Sequence, residues 1–136
     1  MELAIPPRIV YRPVQDFECM AWVIHDEARG ESLKGARAVM DVILARMQQR
    51  KQTACEVVKE PSQFSGYRPG VFLKITKEML TRYAIVSKMS PVAAECEYFH
   101  ATYVHPVWRI KLKRCKQVGK HIFYQAIKPK STKEKK

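Results

Sequence analysis

The sequence lacks the features that mark membrane-spanning and exported proteins. None of its 136 residues lies in a run close to the ~18 consecutive apolar residues that a transmembrane helix requires. The first residues, MELAIPPRIVYRPVQDFE, do not show the basic-then-apolar order of a secretory signal peptide. We therefore expect synthesis in the cytoplasm, with any target outside it reached by another route. A content of 46% hydrophobic and 28% charged residues is instead typical of a globular protein, and a length of 136 residues fits one domain.

The cysteines are widely scattered, and their spacing matches no recognised framework. The four cysteines form no C-x-x-C pair (Cys19, Cys55, Cys96 and Cys115). We therefore expect four free, partly buried thiols. A zinc site built from Cys96, His100 and His105, with Cys115 or His121, is an alternative, but Cys-x3-His-x4-His is neither a zinc-finger nor an H-E-x-x-H spacing. We expect no metal ion and no cofactor.

Acidic residues are few near the C-terminal end. Lys and Arg total 25 against 13 Asp and Glu, a net charge of +12. Residues 1–108 carry 14 basic and 12 acidic side chains, whereas residues 109–136 carry 11 basic side chains and one acid. This excess predicts an anionic partner. A basic nucleic-acid-binding module is one alternative, but residues 109–120 match no helix-turn-helix, RNA-recognition or KH signature. We expect the basic C-terminus to bind an anionic envelope surface, and no stable nucleic-acid partner.

The first half of the chain has the pattern of helices. Three prolines within residues 1–13 indicate an extended lead-in. Apolar residues then recur every three or four positions, which predicts a helix from Val14 to Gly30. Ser32 is the expected N-cap of a second helix, whose apolar stripe continues to Met47.

The second half changes from a helical to an alternating pattern. Two further helices are predicted, over 74–89 and 91–98. Alternation then predicts a β-hairpin that turns at Gly119 (Trp108, Ile110 and Leu112, then Val118, Ile122 and Tyr124). Residues 128–136, KPKSTKEKK, have the composition of a basic disordered tail. The expected fold is mainly α (α+β), with the folded domain over 14–127.

Glu27 occupies an unusual position for a carboxylate. It follows Ile24 by three residues and Met20 by seven, so it extends the apolar stripe of the first helix. It also lies in the last turn of that helix, where the helix dipole disfavours an anion. Both features suit a carboxyl group that must hold a proton near neutral pH, as a general acid does. An ion pair with Arg29 is the structural alternative.

The stretch Glu27-Ala28-Arg29-Gly30-Glu31 resembles the EARGE signature of the SleB-like, spore-cortex-lytic type of cell-wall hydrolase family. Four further stretches resemble that family in the same order: Val39 to Arg46, Cys55 to Val58 with Gln63 to Ser65, His100 to Trp108, and Val118 to Tyr124. Because the five matches are ordered and cover about residues 18–125, the resemblance is specific.

This resemblance implies a lysozyme-like helical domain with a small C-terminal β-hairpin. It implies cleavage of the β-1,4 bond between N-acetylmuramic acid and N-acetylglucosamine in peptidoglycan. The implied mechanism is lytic transglycosylation with Glu27 as the single acid and base. A muramidase-type hydrolase would need a second carboxylate, for which Glu31 is the candidate. A structural role for Glu31 in the first turn of the second helix is the reading we favour.

The resemblance and the chemistry of sugars together single out further residues. Glycans bind to aromatic faces and polar side chains, so the candidate substrate-binding residues are Gln63, Phe64, Ser65, Tyr103, Trp108 and Tyr124. We expect a structural hydrogen bond from His121. A small, basic domain of this kind resembles a bacteriophage endolysin. We therefore expect a monomer, made in the host cytoplasm, that acts on periplasmic or cell-wall peptidoglycan after release.

Overall fold

The computed structural model describes residues 15–60 and 74–127. Within these ranges the chain forms the helices α1 (Asp16–Ala28), α2 (Leu33–Arg50), α3 (Ala54–Lys59) and α4 (Lys77–Ser87), a 3₁₀ helix (Val107–Lys111), and the strands β1 (Tyr98–Ala101), β2 (Leu112–Val118) and β3 (His121–Ala126). Helices dominate and the strands form one small antiparallel sheet, so the expected α+β class is confirmed.

Side-chain caps define where three helices begin. The Ser32 hydroxyl accepts the N–H of Gly35 at 3.2 Å, which confirms Ser32 as the N-cap of α2. Thr53 and Glu56 form a reciprocal capping box at the start of α3. Thr76 accepts the N–H of Met79 at 3.2 Å, so α4 begins slightly later than the sequence pattern predicts.

The core lies where α1 packs against α2, α3 and α4. Its largest side chains are at most 1% exposed and come from all four α-helices and the sheet (Val23, Ile24, Val39, Val42, Ile43, Val57, Val58, Val86 and Phe123). Burying an aliphatic or aromatic side chain of this size contributes about 1.5–3 kcal/mol. Because α1 is packed against three other helices, the position of its C-terminal end is well defined.

The region after α4 differs from the sequence prediction. The helix predicted over 91–98 does not form: residues 92–95 are bends and turns, and residues 98–101 form β1. β1 pairs with β3, so the predicted hairpin becomes a three-stranded sheet in the order β1-β3-β2 within the described chain. The predicted first strand also begins later, because residues 107–111 form the 3₁₀ helix. A strand as short as β1 is stabilised by its partner, which a local pattern does not reveal.

The expectation of four free thiols is wrong. Cys19 of α1 is bonded to Cys55 of α3, and Cys96 is bonded to Cys115 of β2. The Cα atoms of the two pairs are 5.2 and 6.3 Å apart, within the range that a disulfide spans. The spacings of 36 and 19 residues carry no sequence signature, because only the packing of α1 on α3 and of the 91–97 segment on β2 brings the partners together.

A buried ion pair joins α2 to the end of α4 and to the segment between α4 and β1. Arg37 Nε donates to Asp41 Oδ1 at 2.9 Å, and Arg37 Nη1 donates to the carbonyl of Val86 at 3.2 Å. Asp41 Oδ2 accepts the backbone N–H groups of Val92 and Ala93 at 2.6 and 2.8 Å. The pair therefore positions the end of α4 and the segment that leads to β1.

Several predictions lie outside the described residues. These are the lead-in 1–13, the tail 128–136 and the loop residues Gln63, Phe64 and Ser65. In the described part of the chain, no helix combines the length and apolar character needed to cross a membrane.

Candidate active site

Glu27 is the penultimate residue of α1, so its predicted place in the last helical turn is confirmed. Its side chain is half-buried. Ile24 and Ala28, which flank it on the same helix, are 1% and 0% exposed, whereas Arg29 is exposed. Glu27 therefore lies at the boundary between the core and the surface. A carboxyl group in this place is held by a packed helix and stays partly accessible to solvent.

Glu31, three residues beyond the end of α1, joins three parts of the fold. Its N–H donates to the carbonyl of Ala28 at 3.0 Å, and its carbonyl accepts Arg82 Nη2 from α4 at 2.8 Å. Its Oε1 accepts the backbone N–H of Lys120, in the β2–β3 turn, at 2.8 Å. The side chain is only 10% exposed. We call these three contacts the Glu31 clamp.

Two glycines leave room for the Glu31 side chain. A β-carbon added to Gly35 would lie 3.0 Å from Glu31 Cβ. A β-carbon added to Gly119 would overlap Glu31 Oε1. Gly119 also has φ +57°, a left-handed conformation that glycine adopts without strain. The turn of the hairpin is therefore shaped so that its backbone can approach the carboxylate.

His121 begins β3 beside the Glu31 clamp. Its buried Nδ1 makes no hydrogen bond to the described chain and lies 3.9 Å from Glu31 Oε1. The rings of Phe99 and Phe123 make T-shaped contacts with the imidazole ring, with centroids 5.1 and 6.1 Å away. Burial lowers the pKa of His121; Glu31 opposes this shift and His100 adds to it. The expected structural hydrogen bond is therefore not made through Nδ1.

Four rings form an aromatic cluster on the sheet: Tyr98, His100, Trp108 and Tyr124. Trp108 lies 5.9, 5.7 and 5.8 Å from the centroids of Tyr98, His100 and Tyr124. His100 Nδ1 lies 2.7 Å from the Ala101 carbonyl, so this nitrogen carries the proton. His100 Nε2 then accepts the Tyr124 hydroxyl at 2.8 Å. This hydrogen bond holds the rings that surround Trp108.

The predicted aromatic binding residues differ in how open they are. Tyr103, in the turn after β1, is 80% exposed, and Trp108 is 40% exposed. Tyr124 is 6% exposed and its hydroxyl is bonded to His100. Tyr103 and Trp108 are thus open to contact with a sugar ring. Tyr124 is buried and holds the cluster together through its contacts with His100 and Trp108. Their roles in binding stay predictions.

The ligands of the alternative zinc site are not brought together. Cys96 and Cys115 are bonded to each other, and both ring nitrogens of His100 have hydrogen-bond partners. Over residues 15–60 and 74–127, no three His, Cys, Asp or Glu side chains are grouped in a way that could hold a metal ion.

Sequence reasoning missed the importance of His100 and Arg82. Tyr98 and His100 are two residues apart and would share one face of a strand, so reading 98–101 as a strand would have suggested the cluster. Arg82 contacts the carbonyl of Glu31, 51 residues away, and no local pattern signals such a contact.

The chain is similar in sequence to curated spore cortex-lytic enzymes. The chain is 29% identical over 113 residues to a spore cortex-lytic enzyme of Halalkalibacterium halodurans, and 31% identical over 114 residues to one of Oceanobacillus iheyensis. Each alignment covers 79% of this chain, but only 34% and 41% of the relatives. The chain thus spans about two-fifths or less of the length of these curated relatives.

Two solved structures have a similar fold. The catalytic domain of the germination-specific lytic transglycosylase SleB from Bacillus anthracis superposes with a TM-score of 0.70 at 24% identity, covering 87% of this chain and 99% of that domain. The catalytic domain of the Bacillus cereus SleB protein gives a TM-score of 0.67 at 26% identity, covering 81% and 89%.

A family model extends the comparison to most of the domain. The model described as Cell Wall Hydrolase (Hydrolase_2) matches residues 30–124, more than half of the 136-residue chain. The match includes Glu31, the aromatic cluster and the hairpin up to Tyr124, and it begins three residues after Glu27. The chain therefore belongs to the SleB-like Cell Wall Hydrolase family.

Proposed function

We propose that this chain is a peptidoglycan-cleaving enzyme that acts as a lytic transglycosylase, with Glu27 as the catalytic acid and base. The observation that carries the proposal is the position of Glu27: a half-buried carboxyl group at the end of a helix that packs against three other helices, next to the Glu31 clamp. Family membership and the fold shared with two SleB catalytic domains support the same activity.

The proposed reaction needs one carboxyl group. Protonated Glu27 donates its proton to the glycosidic oxygen, and the bond from that oxygen to C1 of N-acetylmuramic acid breaks. The carboxylate then accepts the proton of the C6 hydroxyl of the same sugar, whose oxygen bonds to C1 and closes a 1,6-anhydro ring. Glu27 ends the cycle protonated, as it began. No water molecule and no second carboxylate take part, which agrees with the engagement of Glu31 Oε1 by the backbone of Lys120.

The aromatic cluster supports a glycan substrate. Tyr103 and Trp108 are the exposed aromatic residues among the predicted binding residues in the described chain. Aromatic faces bind the apolar faces of sugar rings and leave the hydroxyl groups to polar partners. The hydrogen bond between His100 and Tyr124 holds the two rings that contact Trp108, so the position of Trp108 is defined before the substrate binds.

Replacing Glu27 tests the proposal directly. Glu27→Gln keeps the side-chain shape but cannot donate a proton, and general acid catalysis contributes ~10²–10⁴-fold to rate. We expect near-complete loss of clearing of purified peptidoglycan, with the far-UV circular dichroism unchanged. A folded Glu27→Gln variant with wild-type clearing would refute the assignment. Mass spectrometry of the wild-type products adds a second criterion: anhydromuropeptides are expected, reducing ends would indicate a muramidase, and free peptides would exclude glycan cleavage.

We also propose that the domain binds an anionic envelope surface through its basic C-terminal part and works outside the cytoplasm as a monomer, in the manner of an endolysin. Lys113, Arg114 and Lys116 are exposed on the edge strand β2. The two disulfides support action outside the cytoplasm, because disulfides persist in oxidising compartments.

A pair of charge variants tests the envelope contact. Lys113→Gln/Arg114→Gln removes two charges from β2, and Lys34→Gln/Lys59→Gln removes two from exposed helical sites. We expect the β2 variant alone to bind intact sacculi more weakly at low salt, where the Debye length is ~30 Å, with the difference fading near 0.15 M. Equal binding by both variants would show that net charge, rather than β2, determines affinity.

A further inference from the structure

The Glu31 clamp connects the end of α1 to elements far away in sequence. Through its backbone, Glu31 contacts Ala28 in α1 and Arg82 in α4. Through its carboxylate, it contacts Lys120, 89 residues away, in the β2–β3 turn. Glu27 immediately precedes Ala28, so the contacts of Glu31 are one residue removed from the proposed acid.

We propose that Glu31 is a positioning residue: its carboxylate ties the hairpin turn to the end of α1 and thereby holds Glu27 in its reactive place. This inference rests on the proposed function of Glu27. The relevant property of Glu31 is the length and acceptor oxygen of its side chain. Its negative charge matters less than this length and acceptor, and Glu31 is not a second reacting carboxylate.

The surroundings of the carboxylate fit this role. A carboxylate that attacks a sugar or activates water must reach the substrate, but the Glu31 side chain is 90% buried, being only 10% exposed. Its Oε1 already accepts the N–H of Lys120. The neighbouring His121 Nδ1 at 3.9 Å is also enclosed, with a side chain 9% exposed.

The two glycines show that the fit depends on side-chain length. Gly119 in its left-handed conformation and Gly35 in α2 leave space that a methyl group would fill. Glu31 Oε1 therefore meets the Lys120 N–H only because the hairpin backbone can approach closely. A side chain one methylene shorter would withdraw the oxygen from that N–H. Displacing a catalytic group by ~1 Å can cost ~10²-fold in rate.

The experiment separates length from charge. Glu31→Asp keeps the charge and loses the length, whereas Glu31→Gln keeps the length and an acceptor oxygen and loses the charge. The kcat, KM and pH–rate profile are measured on soluble glycan fragments by the yield of anhydromuropeptides. We expect Glu31→Asp to lower kcat by ~10–100-fold with a smaller change in KM. We expect Glu31→Gln to be ~10-fold faster than Glu31→Asp, with both limbs of the wild-type pH profile retained.

Glu56→Ala is the matched control. Its carboxylate also accepts a backbone N–H at 2.8 Å, that of Thr53, but it lies in α3. α3 contacts the start of α1, where Cys55 donates to Asp16 at 3.3 Å. Glu27 is 11 residues further along α1, or ~16 Å at 1.5 Å per residue. We expect wild-type kcat from this variant, and a loss equal to that of Glu31→Asp would overturn the positioning role.

Gly119→Ala perturbs the contact between Glu31 and the β2–β3 turn by changing the turn. The added methyl group overlaps Glu31 Oε1, so kcat is expected to fall in the wild-type background and much less in Glu31→Ala. Additive losses in this double-mutant cycle would overturn the proposal. A different result would identify Glu31 as a reacting carboxylate: a folded Glu31→Gln variant as inactive as Glu27→Gln, together with an active Glu31→Asp variant. Wild-type activity of Glu27→Gln would instead refute the proposed function itself.

Discussion

We expect the disulfide between Cys19 and Cys55 to make a large contribution to the free energy of unfolding. It joins α1 to α3 across a sequence separation of 36 residues, and its sulfurs lie in the core, where Cys19 is 0% and Cys55 7% exposed. A closed loop of this size removes conformational entropy from the unfolded chain, which corresponds to about 4 kcal/mol at 25 °C. The shorter loop of Cys96–Cys115, with a separation of 19, corresponds to about 3 kcal/mol.

The perturbation is the double variant Cys19→Ala/Cys55→Ala, compared with Cys96→Ala/Cys115→Ala. Alanine is chosen because a serine hydroxyl at the fully buried position 19 would lose its hydrogen bonds to water. We expect the first variant to lose about 4 kcal/mol of unfolding free energy and the second about 3 kcal/mol. With an m-value of about 2 kcal/mol per M, the urea midpoint falls by about 2 M in the first case.

The assay is urea unfolding followed by circular dichroism, with and without dithiothreitol. Reductant should lower the midpoint of the wild type and leave a variant without cysteines unchanged. Thiol titration of the unfolded, unreduced wild type should find no free thiol, since all four cysteines are paired. Four titratable thiols, together with a midpoint that reductant does not move, would refute the disulfides.

Three further predictions concern the scaffold around the site. Asp41→Asn leaves the buried Arg37 without its charged partner, so we expect a loss of about 3–5 kcal/mol in unfolding free energy by urea denaturation; a loss below 1 kcal/mol would contradict the buried pair. Ser32→Ala removes the α2 cap and should cost about 1 kcal/mol, seen as a lower thermal midpoint with unchanged helix content. Burial lowers the pKa of His121 in the folded chain below its usual 6.5, so as the pH falls the unfolded chain binds a proton at this residue first. The contribution of His121 to the free energy of unfolding is therefore complete above pH 6.5 and declines as the pH falls towards the folded-state pKa. Urea midpoints at pH 7.5 and 5.5 should therefore differ less in His121→Asn than in the wild type, and an equal difference would exclude His121 as the cause.

The sequence alone was sufficient for features that depend on neighbours within a few residues. The 3.6-residue period located α1 and α2, and Ser32 marked the start of α2, because a cap acts on N–H groups two or three residues away. The same period placed Glu27 in the last turn of α1. Alternation and Gly119 located the hairpin of β2 and β3.

Other features were decided only by tertiary structure. The sequence predicts a helix over 91–98 and does not predict the strand β1, because four residues carry little pattern and their conformation depends on pairing with β3. The sequence does not predict the two disulfides, because their pairing depends on how α1 packs on α3 and how the 91–97 segment meets β2. The contact between Glu31 and Lys120 spans 89 residues. Local pattern reports the conformational preference of a segment, whereas such contacts depend on where the packed core places segments that are distant in sequence.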